Sequence, residues 1–121
     1  FILLPCELID KNGDNLKECI LKYSVDWGYG DEFEKWIETE NHFTNTLVDR
    51  IVTGYPRDNA KEMEQSYGYL DDMIDTAEIF HLWVIEGDKK LAEEIPFHKI
   101  GLNVLWTDDV TPYKKRKVRI Q

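Results

Sequence analysis

Basic side chains are concentrated at one end of the chain, and they are the first candidates for chemistry. Residues 111–121 contain no acid and five cations, which are Lys114, Lys115, Arg116, Lys117 and Arg119. A lysine that is crowded by other cations and partly desolvated loses its proton more readily, so it can act as a general acid/base near neutral pH. On a helix, Lys114 and Lys117 would share one face, and Arg116 and Arg119 another. The alternative is a solvated basic helix end.

A second candidate is the adjacent pair Asp49-Arg50, which has apolar residues on both sides between positions 47 and 52. Such a pair is expected to be at least partly buried. It could form a structural ion pair or hold a loop in place, since structural pairs also occur in such surroundings. It could equally supply a carboxylate that orients a polar substrate. Both interpretations remain open at the level of the residues.

Other chemistries lack their motifs. His42, His81 and His98 are far apart, and none has a Cys or carboxylate partner at metal-ligand spacing, so no metal site is predicted. The chain contains no Gly-x-Ser-x-Gly elbow, no phosphate-binding Gly-rich loop and no Gly-x-Gly-x-x-Gly turn. These motifs therefore identify no cofactor-binding residue, and the cofactor-binding residues remain unknown.

Composition limits the class of protein. With 121 residues, 42% of them hydrophobic, the chain suits one compact domain or part of a larger one. A net charge of -9 disfavours nucleic acid as a partner, and no apolar run approaches the roughly 20 residues of a membrane helix. Cys6 and Cys19 form no Cys-x-x-Cys pair, and Cys19 lies on the apolar face of a predicted helix, which favours a buried reduced thiol and a cytoplasmic protein. Composition does not set the oligomeric state.

The elements that must position these residues alternate between strands and helices. Residues 2–9 are predicted to form a buried strand or its exit, and residues 80–86 and 102–106 are predicted strands. Helical spacing is present at residues 16–27, from Asp31 (an N-cap candidate with Glu34 in a capping box), in part of 58–79, at 89–94 and after Pro112. Residues 41–46 are predicted to be a loop. The fold class is therefore mixed α/β.

Both chain ends lie inside patterned segments. FILLP begins within an apolar stretch, and KVRIQ ends within one. Natural domain edges are usually polar and loose. We therefore expect both ends to be cuts in a longer protein.

The segment around Asp49-Arg50 and the basic tail both resemble motifs of a known family. The stretch FTNTLVDRI at residues 43–51 resembles the Val-Asp-Arg-Ile motif of the mannitol dehydrogenase family, which includes mannitol, fructuronate and tagaturonate oxidoreductases. The tail KVRIQ at residues 117–121 resembles the catalytic helix of that family, in which a Lys is followed by four residues, Asn, two residues and His. Lys117 matches the Lys, and the Asn and His positions would fall beyond Gln121. The resemblance covers essentially the whole chain.

The opening segment departs from the family in one place. CELIDKNG at residues 6–13 resembles a Cys-Asp-Asn segment that ends in Asn-Gly, but Leu8 stands at the position of the catalytic Asn. Leu cannot hydrogen-bond a reacting oxygen as Asn does, so either Glu7 compensates or this segment aligns with the family shifted by one residue.

The resemblance implies the end of a Rossmann-like NAD-binding domain over residues 1–110, followed by the start of a helical domain over residues 111–121. It implies metal-independent hydride transfer between NAD and a sugar acid, interconverting D-tagaturonate and D-altronate, with fructuronate or mannitol as alternative substrates. Lys117 would be the general acid/base, and Asp49, Arg50 and Glu7 would bind or orient the substrate. A non-catalytic acidic α/β interaction module is the alternative from another class. The 121-residue piece alone is expected to be inactive.

Overall fold

The structure is a computed structural model that describes the backbone of residues 1–120 and the side chains of residues 1–117. Strands and helices alternate, as the sequence predicts, together with a short 3-10 turn at Phe97–Lys99. In chain order the elements are β1 (Ile2–Leu3), α1 (Asn12–Trp27), α2 (Asp31–Thr39), β2 (His42–Phe43), β3 (Thr46–Asp49), β4 (Val52–Gly54), α3 (Ala60–Tyr67), β5 (Thr76–Ala77), β6 (Leu82–Glu86), α4 (Lys89–Glu94), β7 (Val104–Thr107) and α5 (Thr111–Ile120). The chain divides into one unit of residues 1–48 with those from 82 onward, and a second unit of residues 49–81.

A three-stranded sheet with the order β3-β6-β7 forms the centre of the first unit. Strands β6 and β7 are parallel, with Val84 beside Leu105 and Ile85 beside Trp106. Val84 and Ile85 have no exposed surface, and Val104 and Val110 are also buried. A strand buried on both faces has a continuous apolar run rather than an alternating one. That is why residues 82–85 are apolar without alternation, although the strand predicted for residues 80–86 begins only at Leu82.

Several helix ends follow the signals in the sequence. Helix α1 ends at Gly28 (φ 69°) and α3 at Gly68 (φ 79°), both in the left-handed conformation that glycine adopts without a steric penalty. Asp88 caps α4, because its Oδ1 accepts a hydrogen bond from Leu91 N at 2.8 Å. Helix α5 begins at Thr111 with Pro112 in its first turn. The helices predicted at residues 16–27, at 89–94 and after Pro112 are confirmed.

The predicted capping box of α2 is wrong. Gly30 is the N-cap, no side chain caps the helix start, and Asp31 is already the first helical residue. The carboxylates of Asp31 and Glu34 lie in the first turn, where they still interact favourably with the helix dipole.

The predicted burial of Cys19 is also wrong, because Cys19 is exposed. The residues that α1 buries are Asn12, Gly13 and Ser24, while Trp27 is 66% exposed. The aromatic side chains of α1 instead stack with those of the following segment and α2, in a series of ring contacts formed by Tyr23, Trp27, Tyr29, Phe33 and Trp36. Periodicity predicted the helix correctly, but it does not determine what covers each face.

The strand predicted for residues 2–9 is shorter than expected, and the loop predicted for 41–46 is not a loop throughout. Only Ile2–Leu3 is extended, in a parallel pair with His42–Phe43. His42 N donates to Phe1 O at 2.9 Å and Thr44 N donates to Leu3 O at 3.1 Å. This pairing joins distant segments, so local patterning does not indicate it.

The second unit contains β4, α3 and β5. Strands β4 and β5 pair antiparallel, with Val52 beside Ala77. Its buried apolar residues include Ala60 and Ile74. No helix in the described part of the chain is long and apolar enough to cross a membrane.

Candidate active site

A cavity of about 220 Å³ lies within the first unit, where three segments meet. Its walls are residues 7–10 of the loop after β1, residues 46–48 of β3, and Lys114 and Lys117 of α5. The volume is below the roughly 300–1,000 Å³ of pockets for drug-sized ligands, so it suits a small substrate. Both lysines line the same cavity, as their spacing on one helix face predicts.

Lys117 is fixed on the wall of this cavity. Its Nζ donates a hydrogen bond to the carbonyl oxygen of Val48 at 2.9 Å, and the side chain is half-buried. A backbone carbonyl in a strand is a rigid acceptor, so it restricts the positions of an otherwise flexible lysine. The candidate acid/base is therefore held at a defined place beside a space that a small molecule can enter.

Lys114 lies one turn earlier on α5 and forms an ion pair with Asp10. The Lys114 side chain is 25% exposed and that of Asp10 is 79% exposed. The hydrogen bond and the positive charge from Lys114 lower the pKa of Asp10. The pair links α5 to the loop that forms another wall of the cavity.

The loop after β1 takes its shape from Asn12. This buried side chain donates from Nδ2 to the carbonyl oxygens of Pro5 (3.0 Å) and Glu7 (3.1 Å) and to Thr46 Oγ1 (3.1 Å). Its Oδ1 accepts from Thr46 N at 2.8 Å. Thr46 Oγ1 in turn donates to the carbonyl oxygen of Pro5. Asn12 therefore joins two walls of the cavity, the loop and β3.

The third wall is placed through Asn45 and Glu86. Asn45 Oδ1 accepts from Gly13 N (3.0 Å) and Asp14 N (3.1 Å), so it caps the first turn of α1 from a distant segment. Asn45 Nδ2 donates to Glu86 Oε1 at 3.1 Å, and Glu86 Oε2 accepts from Val110 N at 3.0 Å. Glu86 thus links the end of β6 to the start of α5, which carries the lysines.

Glu7 lies on the cavity wall, as a substrate-contacting residue must. Leu8 also lines the cavity but is 80% exposed. Partial burial raises the pKa of the neighbouring Cys6 thiol, and the Glu7 carboxylate raises it further. Cys6 therefore stays a neutral thiol at neutral pH, which argues against a nucleophilic role.

Asp49 and Arg50 belong to the second unit. Asp49 is half-buried at the end of β3, while Arg50 is exposed and donates from Nε to the Glu78 carbonyl oxygen at 3.0 Å. The expected partial burial of the pair therefore holds for Asp49 and not for Arg50. Their roles in orienting substrate stay predictions.

Arg116 lies apart from Lys114 and Lys117, as helical spacing predicts. Arg116 lines a different cavity from the two lysines, together with Asp108, Asp109 and Tyr113. The side chains of Val118, Arg119 and Ile120, and the whole of Gln121, lie outside the described residues. No group of three or more potential metal ligands occurs among the residues that are described.

Sequence reasoning missed Asn12, Asn45 and Glu86. The dipeptide Asn12-Gly13 is typical of a turn, and Asn45 falls within the predicted loop at residues 41–46. The available signal was the Asn-Gly pair at a helix start, because a buried Asn side chain can bond backbone groups in several directions. For Glu86 the sequence offered a weaker indication of a role, namely a carboxylate at the end of a predicted strand.

Comparison with known proteins agrees with this architecture. The family model for the mannitol dehydrogenase Rossmann domain matches residues 1–99. Altronate oxidoreductase of Shigella flexneri is 53% identical over 120 residues, which is 99% of this chain and 25% of that protein. Altronate oxidoreductase of Escherichia coli O6:K15:H31 is 52% identical over 120 residues, again 99% of this chain and 25% of that protein. The chain thus spans about a quarter of the length of these relatives.

Solved structures give the same result at lower identity. A substrate-free D-sorbitol dehydrogenase superposes with a TM-score of 0.75 and 30% identity, covering 98% of this chain and 24% of that one. Mannitol 2-dehydrogenase of Pseudomonas fluorescens, in a ternary complex with NAD and D-mannitol, superposes with a TM-score of 0.74 and 27% identity, covering 98% and 23%. The fold is therefore Rossmann-like, and the chain belongs to the mannitol dehydrogenase family.

Proposed function

We propose that this chain is part of an NAD-dependent oxidoreductase that interconverts D-tagaturonate and D-altronate, with Lys117 as general acid/base. The observation that carries the proposal is the position of Lys117, whose Nζ is held 2.9 Å from the Val48 carbonyl oxygen on the wall of a small cavity. The substrate follows from relatives that are about half identical and named altronate oxidoreductase. Residues 1–110 would end the Rossmann-like domain, and residues 111–121 would begin a helical domain.

In the direction of oxidation, Lys117 would accept the proton of the substrate hydroxyl as the carbon loses a hydride. In reduction it would return that proton to the carbonyl oxygen. Restricting the lysine in advance lowers the entropy cost of placing a proton acceptor at the reacting oxygen. Glu7, on the loop wall of the same cavity, would accept hydrogen bonds from substrate hydroxyls, and Asp49 and Arg50 would help to orient the substrate.

NAD would supply the hydride chemistry. The solved relative with 27% identity contains NAD, but the present chain has no Gly-x-Gly-x-x-Gly turn to hold a pyrophosphate. No residue of this chain is therefore assigned to the cofactor, and we propose that other segments of the intact protein bind it.

The test measures NADH oxidation by the intact protein with tagaturonate, fructuronate and fructose. Wild type is compared with Lys117→Ala and with Lys115→Ala, which removes an exposed charge two residues earlier on the same helix. We expect selective tagaturonate reduction, a loss of roughly 10²- to 10⁴-fold in kcat for Lys117→Ala, and little change for Lys115→Ala. Equal activity of wild type and Lys117→Ala would refute the acid/base role. Preference for fructuronate or fructose would keep the mechanism and change the substrate.

A further inference from the structure

The two members of the ion pair between Lys114 and Asp10 differ in their exposure to solvent. Asp10 is 79% exposed on its side chain, whereas Lys114 is 25% exposed. An exposed carboxylate returns to water at little cost, and ion pairs of this kind contribute little to stability. The lysine is the more enclosed member, and it remains on the cavity wall when its partner changes.

Charges of both signs line the cavity, with the cations on α5 and the acids on the loop after β1. Among the described residues that line it, the cations are Lys114 and Lys117, and the acids are Glu7 and Asp10. An anionic substrate must therefore bind near the lysines. If Lys117 transfers the proton at the reacting oxygen, Lys114 is available to bind a charged group of the same substrate.

The spacing of the two lysines suits this division of roles. Residues three apart on a helix have Cβ atoms roughly 5–6 Å apart. A sugar acid carries its carboxylate several bonds from the carbon that is oxidised. One small molecule can then contact both ammonium groups from within the cavity of about 220 Å³.

We infer that Lys114 binds the carboxylate of the sugar-acid substrate and that Asp10 occupies this position when the site is empty. Asp10 thus acts as an internal carboxylate that the substrate displaces. This makes Lys114 a specificity-determining residue that favours sugar acids over the corresponding neutral polyols. The inference rests on the proposed function, because it assumes a sugar-acid substrate.

The experiment uses steady-state kinetics of the intact protein with NAD and D-altronate, with D-altritol as the neutral counterpart, measured as a substrate or as a competitive inhibitor. We expect Lys114→Met to raise KM for altronate roughly tenfold or more, because a charge-assisted bond is lost, with kcat nearly unchanged and altritol binding unaffected. Lys114→Arg should restore KM to within a few-fold of wild type. Lys115→Met is the matched control, since it removes an exposed neighbouring charge.

Asp10→Asn separates substrate binding from a purely structural clamp. If Asp10 competes with substrate, Asp10→Asn leaves KM for altronate equal or lowers it by up to about fivefold. If the pair only holds α5 in place, Asp10→Asn and Lys114→Met impair the enzyme alike. That result would overturn the inference, as would an unchanged altronate KM or an equal loss for altritol in Lys114→Met.

The two proposals can fail separately. A wild-type protein that does not oxidise altronate would overturn both. Altronate oxidation that depends on Lys117, with a KM that Lys114→Met leaves unchanged, would overturn only the role of Lys114.

Discussion

Asn12 and Thr46 exchange hydrogen bonds across 34 positions of the chain. Asn12 Nδ2 donates to Thr46 Oγ1 at 3.1 Å, and Thr46 N donates to Asn12 Oδ1 at 2.8 Å. Both residues are buried. The pair holds the loop after β1 against β3, and these two segments form two of the three walls of the candidate active site.

Removing the Asn12 side chain should destabilise the protein. Asn12→Ala leaves the buried Thr46 N–H without its acceptor, and an unsatisfied buried group costs about 1–3 kcal/mol. Asn15→Ala is the control, because the exposed Asn15 also bonds two backbone carbonyls, those of Asp10 and Lys11, which water can replace. Chemical denaturation of the intact protein measures both free energies of unfolding. Equal losses in the two variants would contradict the importance of the buried pair.

Gly13→Ala should destabilise the protein, although this exchange usually stabilises a helix by about 0.5–1 kcal/mol. A Cβ at Gly13 would collide with the Thr44 carbonyl oxygen and lie 2.9 Å from Asn45 N. Both are backbone atoms that cannot rotate away, so we expect a net loss of about 1–3 kcal/mol. Thermal unfolding of the intact protein would show the sign. An increase in Tm would mean that α1 is not packed as closely against residues 44–45 as the structure shows.

Asn45→Asp should make stability depend on pH near neutrality. An Asp at this position still has an oxygen that accepts from Gly13 N and Asp14 N. It loses the amide N–H groups that donate to the carboxylates of Asp14 and Glu86, so three carboxyl groups then lie together. Like charges favour the protonated form, so the introduced carboxyl is tolerated at low pH and stability falls as pH rises. Tm measured between about pH 4 and 8 tests this relation. Asn59→Asp, at the exposed N-cap of α3, should lack the decline, and a decline in both variants would refute the local explanation.

Asp109 should contribute to the acid sensitivity of the protein. Hydrogen bonds from Thr111, with smaller effects from Lys115 and Lys114, lower the pKa of Asp109 from its usual 3.8, and its Oδ1 accepts from Thr111 N at 2.8 Å at the start of α5. Because the folded-state pKa is lowered, the stabilisation is present above about pH 4 and is lost as pH falls through the lowered pKa. Asp109→Asn should make Tm less dependent on pH below about 4, whereas Asp108→Asn, at the exposed neighbouring position, should leave that dependence unchanged. Identical profiles for wild type and Asp109→Asn would contradict this prediction.

Local chemistry predicted much of the fold. The left-handed glycines that end α1 and α3, the bounds of α4 and the Pro112 start of α5 follow from preferences that act over a few residues. The burial of Cys19 and the capping role of Asp31 were predicted incorrectly, because both depend on what packs or bonds nearby. Motif resemblance identified Lys117, which lines the cavity.

The α/β class, the family and the candidate acid/base can all be predicted from the chain, because helix and strand periodicity and short motifs are local properties. The folded structure was needed to show that Asn12, Asn45 and Glu86 join the loop, β3 and α5 into one cavity, and that Lys114 lies against Asp10. Such contacts connect residues up to 104 positions apart. A buried polar group must find a partner wherever the fold places one, so its partner is determined by the whole arrangement and not by its neighbours in the chain.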